Sequence, residues 1–305
     1  MKPFFIVSCL VLSFLSQIFA QEKTVAIART KDKNISQYEE SINGLKKYLL
    51  SKYKTVVFKE YDLNELNVYE KIVEDKPDVI FTLGTVDTKK VSRNIENIPI
   101  VFSLIFTHNE DKSNLFNKNV TGVSLDIPPE FILEKIKVLL PKEKNKIVAI
   151  YNREEHKKCI KELEKETQKL GFKLEKFPIN TPKDFPQICQ INFDVLLIIP
   201  DTIVCQPEIV KNLIFFGITN KKVVIGISQN HVKSGALFAV VCDYEDIGYQ
   251  AGEIIEKIFN GTSVGTIPIY EPRKTKLYIN KTVADRIGIK IPDNIIKEAE
   301  EVYGK

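Results

Sequence analysis

A chain of 305 residues is long for one compact core and comfortable for two, because domains centre on ~100 to 150 residues. Its 44 Lys+Arg stand against 40 Asp+Glu, a formal net charge of +4, and acids interleave the bases, as in Lys161-Glu162-Leu163-Glu164-Lys165-Glu166. That pattern is a solvated helix face and not a phosphate-binding patch, so it argues against a nucleic-acid partner.

The first element is a leader. Lys2 precedes a largely apolar stretch from Phe4 to Leu15, and the small Ala20 stands before the polar Gln21-Glu22-Lys23. The apolar stretch is shorter than the ~20 residues that cross a bilayer, so it reads as a signal peptide (1–20) cut after Ala20, with an uncleaved anchor as the alternative. The mature chain is expected in the periplasm or otherwise exported, with a net charge of +3 once Lys2 leaves (4 − 1). It keeps Cys159, Cys189, Cys205 and Cys242, without a C-x-x-C pair, and only His108, His156 and His231. These are read mostly as small buried thiols, with disulfides of unassigned pairing as the alternative that export allows; no zinc cluster and no cofactor is expected.

Short apolar runs rich in β-branched residues then alternate with longer charged segments of helical spacing, which predicts parallel sheets covered by helices on both faces. Strands are expected at Thr24 to Ala28, Thr55 to Glu60, Val79 to Leu83 and Ile100 to Ile105, with helices at Ile35 to Leu50, Leu63 to Glu74 and Thr85 to Asn94. The series restarts at Val120 to Val123 and runs through a proline-started helix, Pro129 to Leu140. Strands at Ile147 to Tyr151, Lys173 to Pro178, Val195 to Ile199, Val223 to Ile227 and Ala236 to Val241 follow, separated by helical segments near Glu154 to Gly171, Asp184 to Gln190 and Pro207 to Phe216. An amphipathic helix, Ile247 to Phe259, ends at Asn260-Gly261. The remainder, Ile267 to Tyr270, Leu277 to Asn280, Val283 to Ile287 and a helix from Asn294 to Val302, is too short to stand alone and must dock on what precedes it. The fold class is therefore α/β, with two Rossmann-like lobes and a ligand cleft at the carboxyl ends of their strands.

Ordered blocks along the chain carry a resemblance. Pro77-Asp78-Val79-Ile80-Phe81-Thr82-Leu83-Gly84-Thr85, Ile98-Pro99-Ile100-Val101-Phe102, Asn119-Val120-Thr121-Gly122-Val123-Ser124, Val148-Ala149-Ile150-Tyr151-Asn152 and Val195 to Asp201 occur in turn. With Tyr278 to Ala284 and Ile287 to Pro292 they resemble the ABC transporter substrate-binding proteins related to tryptophan/tyrosine-type binding proteins. The resemblance implies a type I periplasmic-binding fold with hinge crossings near 121–125, 241–244 and 272–280. One lobe then comprises 23–120 plus 247–269, and the other 124–240 plus 282–305. It also implies a monomer that binds a small-molecule ligand and hands it to an ABC permease and ATPase complex at the inner membrane. The chain departs from the family in two loops, Arg29-Thr30-Lys31-Asp32 and Phe106-Thr107-His108-Asn109-Glu110, where relatives often carry Asp-Pro after the fourth strand.

Candidate ligand-binding residues follow from the strand ends. Gly84 and Thr85 open a helix whose free N–H groups favour a carboxylate, or else simply cap it. Asp201 ends a buried strand and either pairs with a ligand ammonium or caps the segment holding Thr202 and Val204. Asn152 occupies the equivalent end in the same lobe, Asp243 lies at a crossing, and each either reads the ligand or holds a turn. Ser103 and Ser228, in or after apolar strands, complete the set with Thr202. An amino acid, possibly aromatic, would join one charge to each lobe; Tyr151 and Phe106 either stack on it or belong to the core. No G-x-S-x-G, P-loop, G-x-G-x-x-G or H-E-x-x-H supports the rival reading of a secreted α/β enzyme, and a ligand-sensing domain for a membrane receptor is the other alternative.

Overall fold

The computed structural model describes residues 22–31, 35–107 and 117–304; the expected leader, Asp32 and His108-Asn109-Glu110 lie outside the described residues, as does the side chain of Cys189. Strands β1 (Lys23–Arg29), β2 (Val56–Asp62), β3 (Val79–Leu83), β4 (Ile100–Ile105) and β5 (Val120–Ser124) form a parallel sheet in the order β2-β1-β3-β4-β5. Alternation of side chains along β1 sends Val25 and Ile27 to one face, against Ile42, Leu45 and Leu49 of α1 (Ser36–Lys52). Ala26 and Ala28 point the other way, against Val68 and Ile72 of α2 (Val68–Glu74) and Val91 of α3 (Thr85–Asn94). Burial on both faces is why the strands are apolar throughout instead of alternating.

After α4 (Pro129–Leu139) come β6 (Lys146–Asn152), α5 (Lys157–Leu170), β7 (Lys173–Ile179), β8 (Val195–Ile198), α6 (Pro207–Thr219), β9 (Val223–Gly226), α7 (Gln229–Lys233) and β10 (Phe238–Cys242). The chain then leaves for α8 (Tyr244–Phe259) and returns as β11 (Thr275–Asn280), α9 (Lys281–Ile287), α10 (Asp293–Glu298) and β12 (Glu301–Tyr303). The second sheet runs β12-β11-β10-β9-β8-β6-β7, with β11 antiparallel to β10 and the other pairs parallel. Its core again has two sides, Leu133, Ile136 and Leu163 with Ile147 and Leu197 on one, and Ile209, Leu213 and Ile214 with Val148 and Leu196 on the other.

Helix α8 belongs to the first sheet although it follows the second, because Ile247, Ala251, Ile254 and Ile255 join that sheet's core beside α1, over β4 and β5. Its approach to α1 is at backbone contact: a Cβ on Gly248 would sit 1.8 Å from the Ser41 carbonyl oxygen, and one on Gly44 1.9 Å from that of Glu245. A helical glycine costs about 1 kcal/mol relative to alanine, so both positions are explained by this seam and not by helix propensity. Beyond α8, Tyr270 N donates to Gly122 O (3.0 Å) and Ser124 N to Tyr270 O (2.8 Å), the last ties to the first sheet. Arg273 then forks onto Asp246 (3.0 and 3.3 Å) and onto both Glu253 oxygens (3.0 Å each), fixing the returning chain to α8.

The chain thus passes between the sheets three times, after β5, after β10 and before β11. The third passage is shorter than 272–280, because pairing with β10 makes Thr275–Asn280 a strand of the second sheet. Several element boundaries also differ from expectation. Asn67, in the left-handed region (φ 55°), delays α2 to Val68; Pro186 keeps Pro182–Gln190 a 3-10 helix; and Ile267 to Tyr270 makes a single bridge, Val123 to Tyr270. The expected terminal helix breaks at Glu298, and Glu301–Tyr303 pairs with β11 instead.

Candidate ligand cleft between the two sheets

A cavity of about 120 Å³ lies where the second sheet's strand ends meet the first two passages. Its floor is Leu197 to Pro200 at the end of β8, Gly226 and Ile227 at the end of β9, and Val240 to Cys242 of β10. Ile132, Cys159 and Leu163 close one side, Leu125 to Ile127 and Tyr244 form the passage wall, and Phe106 projects from the first sheet. Phe106 reaches it through a bulge. The β4/β5 register shifts between Phe102 and Ile105, with Leu104 at φ 62°, a left-handed conformation that a branched side chain adopts only when its surroundings impose it.

Two polar features stand in this largely apolar wall. Asp126, 2% exposed, accepts through Oδ2 from Thr107 N (2.8 Å) and Thr107 Oγ1 (2.5 Å), tying the end of β4 to the first passage. His156 holds Nε2 2.9 Å from the Pro200 carbonyl oxygen. Burial pushes the thiols of Cys159 and Cys242 up to about 12, and in both the Asp126 carboxylate is the next contribution, which holds them in the protonated form. Among the described residues no group of three or more His, Cys, Asp or Glu is disposed to hold a metal ion.

Of the residues singled out from sequence Phe106 lines this cavity, whereas the eight candidate ligand-binding residues do not. Asp201 serves as a cap: Oδ2 accepts from Asn152 N (2.6 Å), and Oδ1 from Ile203 N (2.8 Å) and Val204 N (2.5 Å). Asn152 is occupied with Glu155 (2.8 Å) and with the Glu154 amide (3.0 Å), and the Thr202 hydroxyl donates to Glu155. Ser228 and Asp243 are helix caps, accepting from His231 N (3.2 Å) and Asp246 N (3.1 Å). Ser103 is fully buried with its hydroxyl 2.9 Å from that of Ser41, inside the first core. Tyr151 is core as well.

Gly84 and Thr85 sit at the opposite rim, on the first sheet. Gly84 has φ 75°, its N–H donates to Ser103 O (2.9 Å), and an added Cβ would stand 2.5 Å from the Tyr38 hydroxyl. Burial, and next the Asp87 carboxylate, hold the Tyr38 phenol above its ordinary value. Around them Arg29 pairs with Glu39 (2.7 Å), and Asp87 accepts from Thr30 N and Oγ1 (2.8 Å each).

Sequence reasoning missed Asp126, His156, Cys159, Cys242 and Tyr244 as wall residues. The available signal was the acid in Leu125-Asp126-Ile127-Pro128, isolated among apolar residues one position beyond the first crossing as placed.

The model of the ABC transporter substrate binding protein family matches residues 34–303. The chain belongs to that family. Members of the family bind solutes and do not transform them. A tyrosine-binding protein of Clostridioides difficile (strain R20291) is 28% identical over 226 residues, 70% of this chain, and the chain spans 64% of the length of that relative. Among solved structures, the ligand-free, open form of a substrate binding protein with adhesive properties from Clostridium difficile superposes with a TM-score of 0.72, at 22% identity, over 93% of this chain and 100% of that one. An ABC domain in complex with L-Trp from Streptococcus pneumonia gives 0.63 at 20% identity, over 92% and 99%. These likenesses establish the two-lobed α/β fold. Among the described residues no helix is long and apolar enough to cross a membrane.

Proposed function

We propose that this family member is the exported solute-capturing component of an ABC importer, and that it takes an amino acid with an aromatic side chain into the cavity between its sheets. One observation carries the reading: a largely apolar cavity sits at the passages between two lobes, walled by strand ends of the second and by Phe106 of the first. The tyrosine-binding relative and the structural neighbour that holds L-Trp support an aromatic ligand. On this reading the leader is cut after Ala20. The lobe built on 23–120 plus 247–269 swings about the three passages against that built on 124–240 plus 282–305, which β11 joins. Closure presents a filled cleft to an ABC permease and ATPase.

The test is a thermal-shift screen of the chain from Gln21 onward against the common amino acids. A ligand at 100 times its dissociation constant stabilises the native state by about 2.7 kcal/mol, and L-tyrosine or L-tryptophan is expected to give the largest shift. A screen in which no amino acid moves the melting point, or in which the best binder is chemically converted on prolonged incubation, overturns the reading.

A further inference from the structure

At the amino ends of the second sheet's strands, opposite the cavity, lysines gather with few acids to match them. Lys146 opens β6 and Lys173 opens β7, and the two are register partners on neighbouring strands. Lys142 and Lys144 stand in the turn that enters β6, where Lys144 N donates to Pro141 O (2.9 Å), and Lys221, at φ 53°, stands in the turn that enters β9. Among the described residues none of these five lysines makes an ion pair. Two acids share the edge, Glu143, exposed in the same turn as Lys142, and Asp194, whose carboxylate accepts from Lys146 N (3.1 Å). The first sheet's edge differs, since Lys23 at the start of β1 pairs with Asp78 (3.3 Å). Helices α4 and α6 lead into β6 and β9 from opposite faces of the second sheet, so their C-terminal ends flank the lysines, and there Val138 is 49% exposed and Phe215 69%. We infer that this edge is a docking surface for an anionic lipid bilayer, with the lysines over the headgroup phosphates and Phe215 and Val138 entering the interface.

Folding alone does not call for this arrangement. Like charges abreast on paired strands repel, and an acid at either position would relieve them, so the row is explained by a partner that supplies the anions. Lysine is depleted in protein–protein interfaces, where its hydrated ammonium and flexible stem resist burial. A bilayer of anionic headgroups makes no such demand: each lysine near it gains about fivefold in partitioning while its ammonium stays wet. The apolar side chains beside the lysines add contact with the acyl boundary, which a soluble polyanion does not offer. The edge lies at the far end of the strands from the cavity floor at Leu197 to Pro200, so a molecule resting on it keeps its cleft open to solvent. A chain freed of its leader is thereby held at the membrane surface without a covalent anchor. Nothing in this assignment depends on which solute the cavity takes.

The experiment is co-sedimentation of the chain from Gln21 onward with vesicles of phosphatidylcholine alone and of phosphatidylcholine and phosphatidylglycerol in equal parts. The wild type is expected to bind the anionic vesicles at least about tenfold more tightly than the neutral ones, and to be released by salt. Lys142→Gln/Lys146→Gln/Lys173→Gln is expected to lose at least about tenfold in that binding. Lys71→Gln/Lys161→Gln/Lys165→Gln, which removes the same charge elsewhere, is expected to retain it. All six side chains are exposed, so both variants are expected to keep the wild-type melting point. Phe215→Ser is expected to bind the anionic vesicles about fivefold more weakly, with its affinity for soluble dextran sulfate unchanged. A wild type that ignores the anionic vesicles overturns the inference. Equal losses in the two triple variants reduce the binding to attraction by net charge and overturn it too. Undiminished vesicle binding by Phe215→Ser makes the edge a site for soluble polyanions and overturns the lipid assignment. Each of these results leaves the amino-acid reading untouched, and failure of the thermal-shift screen leaves the lipid assignment standing.

Discussion

The two sheets end differently at the cleft. At the first, polar groups stand at the strand ends and are paired within their own lobe, Arg29 with Glu39 and Thr30 with Asp87. At the second, the strand ends are apolar, and the nearby polar side chains, Asp201, Asn152 and Ser228, turn back onto backbone amides. The second lobe's strand ends thus form the apolar floor of the cavity, while the polar groups at the first sheet's ends are engaged with one another outside its lining. A strand-end acid is thus informative only once the direction of neighbouring N–H groups is known, because three such groups converge on Asp201 and make it part of the scaffold.

Substitutions on each side test this division. The largest effect is expected from Asp201→Ala, which strands three backbone donors: about 3 kcal/mol lost in denaturant unfolding, with the ranking of amino-acid ligands unchanged. A change in that ranking without loss of stability would return Asp201 to the binding site. On the first rim, Gly84→Ala forces an L-residue to φ 75° against the Tyr38 hydroxyl and is expected to cost about 2 kcal/mol; an unchanged unfolding midpoint would show that the rim yields freely. Phe106 is 43% exposed and is the first sheet's contribution to the cavity wall. Phe106→Ala is expected to leave unliganded stability within about 0.5 kcal/mol while weakening the best amino-acid ligand about tenfold, measured by titration. Unaltered affinity would place the whole grip in the second lobe.

Much of the architecture was legible before any coordinates. Periodicity located both sheets because runs such as Val79 to Leu83 and Val195 to Ile198 are apolar on both faces, which only a covered parallel strand requires. The binding wall was not. Asp126 looks like any acid ahead of a proline-started helix, and its place in the cavity depends on the bulge at Leu104 that brings Thr107 to it. The close seam of Gly44 and Gly248 joins segments some two hundred positions apart, and neither glycine differs locally from an ordinary helix interruption.

By itself, then, the sequence determined the order of strands and helices as far as α8, the two-layered cores and the family, because these rest on local hydrophobic spacing and on blocks of adjacent residues. Tertiary structure decided which lobe α8 joins, where the last passage ends, and which of two strand-end acids faces the cavity. The physical reason is that a polar side chain's role is fixed by the donors around it in space: besides its near neighbours Ile203 and Val204, Asp201 is held by Asn152, and Asp126 by Thr107, 49 and 19 residues away along the chain.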